Sequence, residues 1–159
     1  EILMKRQMMA LATVGCVVLG TTMVTMNVRT QVADAHCQVP CGIYDDAARV
    51  TRMKEDATTI EKAIKNINEL SGQHDAQALN QAVRWVNTKE EHASHIIEVI
   101  SQYFMAQRVK PVAKGADGYD AYVESLTKYH AVMVAAMKTK QQANQEAVDA
   151  LKSAIEALP

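Results

Sequence analysis

From Asp46 to Leu70 the apolar residues Val50, Met53, Ala57, Ile60, Ile64 and Ile67 recur at alternating spacings of three and four. An α-helix turns once in about 3.6 residues, so this pattern draws one apolar seam down a helix and does not suit a strand, whose faces alternate at every second residue. Asp45 or Asp46 supplies the cap, and Ser71-Gly72 reads as a glycine stop. A second helix is predicted from about Asp75 to Ala106, with Leu79, Val83, Val86, Ala93, Ile96, Ile97, Ile100 and Phe104 on its buried side. Pro111, Gly115 and Gly118 mark a loop. Beyond it Tyr122, Leu126, Tyr129, Met133 and Met137 define a third helix, the polar stretch 138–142 a turn, and Ala147, Val148, Leu151, Ala154, Ile155 and Leu158 a fourth. No segment alternates with period two for long enough to form a strand. The expectation is an all-α fold, an antiparallel four-helix bundle.

Residues 1–35 have a different character. Lys5 and Arg6 form a basic start, no charged residue falls between Met8 and Val28, and Ala33-Asp34-Ala35 closes the segment with small residues, the layout of a secretory leader. A membrane anchor is the competing reading, because a span needs about 20 apolar residues, but Gly15, Gly20 and several threonines dilute this run. Lipidation at Cys16 is disfavoured by Thr13, which stands where a lipoprotein signal has leucine. The chain is therefore expected to be exported and cut after Ala35 by a maturation peptidase. Its compartment would be periplasmic, extracellular or thylakoid-lumen-like, without stable membrane association after cleavage. Without the leader, 14 basic and 16 acidic residues remain, a formal charge of −2. No basic tail or aromatic-basic patch points to nucleic acid. Residues 36–159 have the length of one domain.

Cleavage after Ala35 would expose His36-Cys37-Gln38-Val39-Pro40-Cys41-Gly42-Ile43-Tyr44 as the new amino terminus. Amine, imidazole, backbone amide and thiolate then lie within two residues. Pro40 and Gly42 permit a reversal that returns Cys41 towards Cys37. Nitrogen and thiolate donors in a tetragonal arrangement suit Ni(II) or Cu(II) better than tetrahedral zinc. The plainer reading is a Cys37–Cys41 disulfide, since paired cysteines in exported proteins usually oxidise. So short a loop would constrain little of the unfolded chain, which weakens the structural case for it.

The pattern His-Cys-x-x-Pro-Cys-Gly-x-Tyr, carried by His36, Cys37, Pro40, Cys41, Gly42 and Tyr44, resembles the nickel hook of nickel-containing superoxide dismutases. That resemblance implies an oxidoreductase that disproportionates superoxide at one nickel ion cycling between Ni(II) and Ni(III), in a homo-hexamer of four-helix bundles. It further implies as nickel ligands the amine and imidazole of His36, the amide and sulfur of Cys37 and the sulfur of Cys41. Tyr44 corresponds to the family tyrosine lining the substrate approach. Aligning Tyr103-Phe104 with the family's Tyr-Phe pair makes Tyr103 a second site tyrosine. Where the family holds the axial histidine with a glutamate and an arginine, this chain has Thr51 and Thr88, and Glu55, Arg84 and Lys89 are the nearby substitutes. Lys54, Arg84 and Lys89 are candidates for local positive charge that attracts superoxide.

The alternative from another class is an exported helical bundle without catalysis, either a nickel or copper carrier or a disulfide-stapled scaffold. His92 and His95, flanked by Glu91 and Glu98, could face a second metal, but carboxylate-bridged bundle sites take Glu-x-x-His from two helices and only one such cluster is present. Solvated or interface histidines are the preferred reading there, and for His74 and His130. Nucleophilic catalysis by Cys37 or Cys41 lacks an accompanying Gly-rich turn or Cys-x-x-Cys spacing.

Overall fold

In the computed structural model, which describes residues 43–159, the chain enters at Ile43 and Tyr44 and turns directly into α1, Asp46–Leu70. Asp45 is the cap, its carboxylate accepting the Ala48 N–H at 2.8 Å. Met53, Ala57, Ile60 and Ile64 of the expected seam are buried, with Val50 and Ile67 at its margins. The helix ends at Ser71 as expected, though not through a left-handed glycine. Gly72 is outside the positive-φ region, and the Ser71 hydroxyl instead donates to the Asn68 carbonyl at 2.8 Å.

Asp75 caps α2, Ala76–Glu98, accepting from Gln77 and Ala78 N–H at 2.9 Å each. The helix then passes without interruption into a π-helical segment, Val99–Arg108, where one uniform helix was expected. Ala93, Ile96, Ile100 and Phe104 are buried. Leu79, Val83 and Val86 are not: they stand 65%, 51% and 39% exposed, although the periodicity placed them in the core. The neighbouring helix α3, Tyr119–Gln141, ends beside Lys89, so the first turns of α2 extend past it. Periodicity identifies the face of a helix, but not how far its neighbour reaches.

The expected turn at 138–142 is also shifted, because α3 remains helical through Gln141. Thr139 is the core residue that the polar composition hid. It is fully buried, and its hydroxyl donates back to the Ala136 carbonyl at 2.8 Å. Lys89 closes this helix end from outside: its ammonium, 4% exposed as a residue, donates to the carbonyls of Thr139 at 2.7 Å and Lys140 at 2.6 Å and meets Glu90 at 2.7 Å. A cation among the orphan carbonyls of a helix C-terminus satisfies both their hydrogen bonds and the helix dipole.

Asn144 caps α4, Gln145–Glu156, accepting the Ala147 N–H at 3.0 Å, and Ala147, Val148, Leu151 and Ile155 enter the core. Helix α1 packs on α2 and α4, and α3 packs on the same two. The described residues contain four helices, the π-helical segment and no strand, an all-α fold. No helix among them is long and apolar enough to cross a membrane. Lys89→Ala should leave buried carbonyls without their donor and cost about 1–3 kcal/mol. Denaturant unfolding would show this, with helix content by circular dichroism largely retained.

Candidate functional site

The expected ligands His36, Cys37 and Cys41, with Pro40, Gly42, Cys16 and the whole leader, lie outside the described residues. What is described is the wall that receives the end of that segment. Tyr44 meets Tyr103 edge-on, with ring centroids 6.0 Å apart and planes at 63°. Tyr103 continues edge-on to Phe104 at 5.0 Å, and Phe104 stacks on Tyr129 at 5.0 Å. An aromatic row thus runs from the chain entry into the core, in the edge-to-face and stacked arrangements that ring quadrupoles favour. The two tyrosines singled out by motif, 59 positions apart in the chain, share one contact.

Polar partners surround that row. The buried Tyr103 hydroxyl donates to Asp46 Oδ1 at 2.8 Å. Arg108 reaches the same carboxylate as a fork, Nε donating at 2.9 Å to Oδ1 and the terminal nitrogen at 2.8 Å to Oδ2. Its guanidinium also covers the Tyr44 ring, 4.5 Å from the centroid, while the guanidinium of Arg49 lies 4.7 Å above Tyr103. Both distances suit a cation–π contact.

These contacts bias the titrations. The Arg108 hydrogen bond, helped by that from Tyr103 and opposed by burial, holds the Asp46 carboxyl below the ordinary carboxylate value. Burial first, then the bond to Asp46 and its charge, push Tyr103 above an ordinary phenol, and a backbone hydrogen bond at Asp45 pulls the other way.

A family model described as nickel-containing superoxide dismutase matches residues 31–159. The chain belongs to that family. No curated protein and no solved structure matches it. Membership in the nickel-containing superoxide dismutase family makes the protein an oxidoreductase with a nickel cofactor and superoxide as substrate, and favours catalysis over the carrier and scaffold alternatives.

For a nickel-containing superoxide dismutase the remaining candidates sort clearly. Thr51 is exposed and the Thr88 hydroxyl donates to the Arg84 carbonyl in its own helix, so neither stands in for the family's charged pair. Lys89 is committed to the end of α3 and is too buried to attract an anion. Arg84 is exposed on the projecting start of α2, and Lys54 and Glu55 are exposed on α1. The cations beside the tyrosines are Arg49 and Arg108, which the sequence reading overlooked.

His92 and His95 are both paired with a carboxylate. Their Nδ1 atoms each lie 2.6 Å from one oxygen of Asp56, a buried carboxylate on α1. Among the described residues no group of three or more His, Cys, Asp or Glu side chains could hold a metal ion. His74 and His130 are exposed.

A carboxyl with a lowered folded pKa contributes stability that is complete above its unfolded value and disappears as pH falls through the folded one. Arg108→Gln removes the main cause of the lowering at Asp46. The stability of that variant, followed by denaturant unfolding against pH, should therefore fall below wild type by its full amount at neutral pH, and the difference should shrink as the pH falls through the acid range.

Proposed function

We propose that the protein removes superoxide at a single nickel ion held by its own trimmed amino terminus, with the amine and imidazole of His36, the amide and sulfur of Cys37 and the sulfur of Cys41 as donors. The donor chemistry supports this: soft thiolates beside nitrogen suit square-planar nickel, and a deprotonated amide adds charge that favours the higher oxidation state. When bound, nickel supplies the one-electron exchange by which two superoxide ions and two protons become dioxygen and hydrogen peroxide.

The other roles belong to the protein. Tyr44 stands three residues after Cys41, and its edge-on contact with Tyr103 is the observation that carries the reading, because it brings the second candidate tyrosine beside the end of the hook. The two phenols would order water at the substrate approach, and Tyr103, raised above the ordinary phenol range, would keep its proton further into alkaline pH. Arg49 has no ion pair among the described residues and would draw the anionic substrate towards this face.

The architecture we assign is an antiparallel four-helix bundle with the hook at its amino-terminal end. Two sets of contacts favour it. Asn68 reaches Ala143 while Glu61 reaches Lys152, so α1 and α4 run in opposite senses. Lys89 meets Thr139 while Phe104 meets Tyr129, giving the same relation for α3 and α2 with its π-helical continuation. A homo-hexamer would cover exposed apolar side chains such as Leu79, Val83, Val86, Val134 and Met137. Export behind a leader of residues 1–35, and cleavage by a maturation peptidase, would free the His36 amine.

The test compares the trimmed chain with one retaining Ala35. The amine of His36 is then an amide of far lower basicity, and metal affinity depends on deprotonated donors. The longer form should bind nickel much more weakly and show little dismutase activity, and equal activity in both would overturn the proposed ligand set. Cys37→Ser and Cys41→Ser should each abolish nickel loading, measured by elemental analysis, while leaving the helical spectrum intact.

A further inference from the structure

Asp45 and Asp46 are adjacent carboxylates at one helix start, but only Asp45 caps the helix. Asp46 collects Tyr103 from one side and the Arg108 fork from the other. Tyr103 and Arg108 are five residues apart, and in an α-helix that separates them by about 140° around the axis, too far for both to meet one carboxylate head-on. The winding of Val99–Arg108 changes this. The Val109 N–H donates to the carbonyl of Phe104, five residues back, at 2.9 Å, and in an i→i+5 helix residues five apart lie nearly one above the other. The Gln107 side-chain amide spans the same five-residue interval to the Gln102 carbonyl at 2.8 Å. Ten residues of π-helix are a large departure from the commoner winding, and such departures concentrate at functional sites.

We propose that Asp46 is a positioning residue of the dismutase site, and that the π-helical winding of Val99–Arg108 brings Tyr103 and Arg108 together on its carboxylate so that the Tyr103 hydroxyl and the Tyr44 ring are held in fixed relation. This rests on the reading of Tyr44 and Tyr103 as tyrosines of the nickel site. A phenol has one hydrogen to donate, and here it goes to Asp46. Towards any further neighbour, the Asp45 backbone N–H among them, Tyr103 is an acceptor, so hydrogen-bond donation to the anion falls to other groups. Arg108 couples the second tyrosine to the same point, since the guanidinium that clamps Asp46 also covers the Tyr44 ring. The groups facing the Tyr103 phenol are Asp45 just ahead of α1 through its backbone, Asp46 and Arg49 of α1, Arg108 from the π-helical segment and Tyr44 from the entering chain, with Tyr129 of α3 behind Phe104.

The experiment uses the trimmed, nickel-loaded protein and compares wild type with Asp46→Asn, Tyr103→Phe and the double variant. Nickel content, kcat, KM and the ultraviolet titration of the phenols are measured on each. With nickel content unchanged, Asp46→Asn should lower kcat on the order of tenfold, the range seen when a group that orients a site residue is removed. It should also move to lower pH the phenol titration that Tyr103→Phe eliminates. The double variant should be no slower than Tyr103→Phe alone, because both substitutions remove one coupled function. Additive losses, or unchanged kcat and titration in Asp46→Asn, would overturn the proposal. Should Asp46→Asn fail to fold, Arg108→Gln paired with Tyr103→Phe poses the same test of non-additivity, with the same opposing outcome. Wild-type protein that binds no nickel or removes no superoxide would instead count against the proposed nickel site and is recognised before any variant is read.

Discussion

The apposition of α1 and α2 holds the rest of the molecule in place. Its apolar part, Met53, Ala57, Ile60 and Ile64 of α1 with Ala93 and Ile96 of α2, belongs to the buried core, but hydrophobic contact is non-directional and tolerates sliding by a turn. Asp56 does not tolerate it. This carboxylate is buried in the same interface, and its two oxygens are each met by an imidazole of the facing helix, His92 and His95 at 2.6 Å. A one-turn slip would keep the seam covered but leave Asp56 with at most one imidazole, since His92 and His95 are themselves about one turn apart, and a buried carboxylate short of a hydrogen-bond partner costs on the order of 1–3 kcal/mol. The polar contact therefore selects the register that the apolar contact makes stable.

Register matters here because the wall of Tyr44, Asp46, Tyr103 and Arg108 is assembled across it. Tyr44 and Asp46 stand at the beginning of α1, whereas Tyr103 and Arg108 lie beyond the end of α2. With α1 fixed on α2 at Asp56, the start of one helix reaches the extension of the other, and the bond from Tyr103 to Asp46 can form at 2.8 Å. The change of winding after Glu98 then supplies what an α-helix could not, two side chains five residues apart on one acceptor. Lys89 performs a comparable service at the opposite end of α3, where it closes the helix with a cation from a neighbour.

Much of this was legible in the residues. The seam from Val50 to Ile67 identified α1 to the residue, since three-and-four spacing has one structural meaning. The hook motif named the family, and the family match over residues 31–159 agrees with it. Misreadings arose where a residue's environment comes from another helix. Leu79, Val83 and Val86 are apolar on one face and still exposed, because α3 stops short of them. Thr139 is polar and fully buried, and the charge of Lys89, which suggests a steering role, is enclosed. Asp46 was read as one of two interchangeable caps, and the doublet Asp45-Asp46 was the only local sign that one carboxylate had a second use.

Neighbours along the chain determine helical periodicity, the caps at Asp45, Asp75 and Asn144, and the grouping within residues 36–41 of the histidine and two cysteines proposed to hold nickel. Tertiary structure decided what depends on neighbours across space. It determined which apolar stripe is covered, which histidines share a carboxylate, and which cations lie over the two tyrosines. The physical reason is range. Backbone propensity and chelate geometry act over a few bonds, whereas burial, ion pairing and the joining of Tyr44 to Tyr103 are set by helices that meet only after the chain has folded.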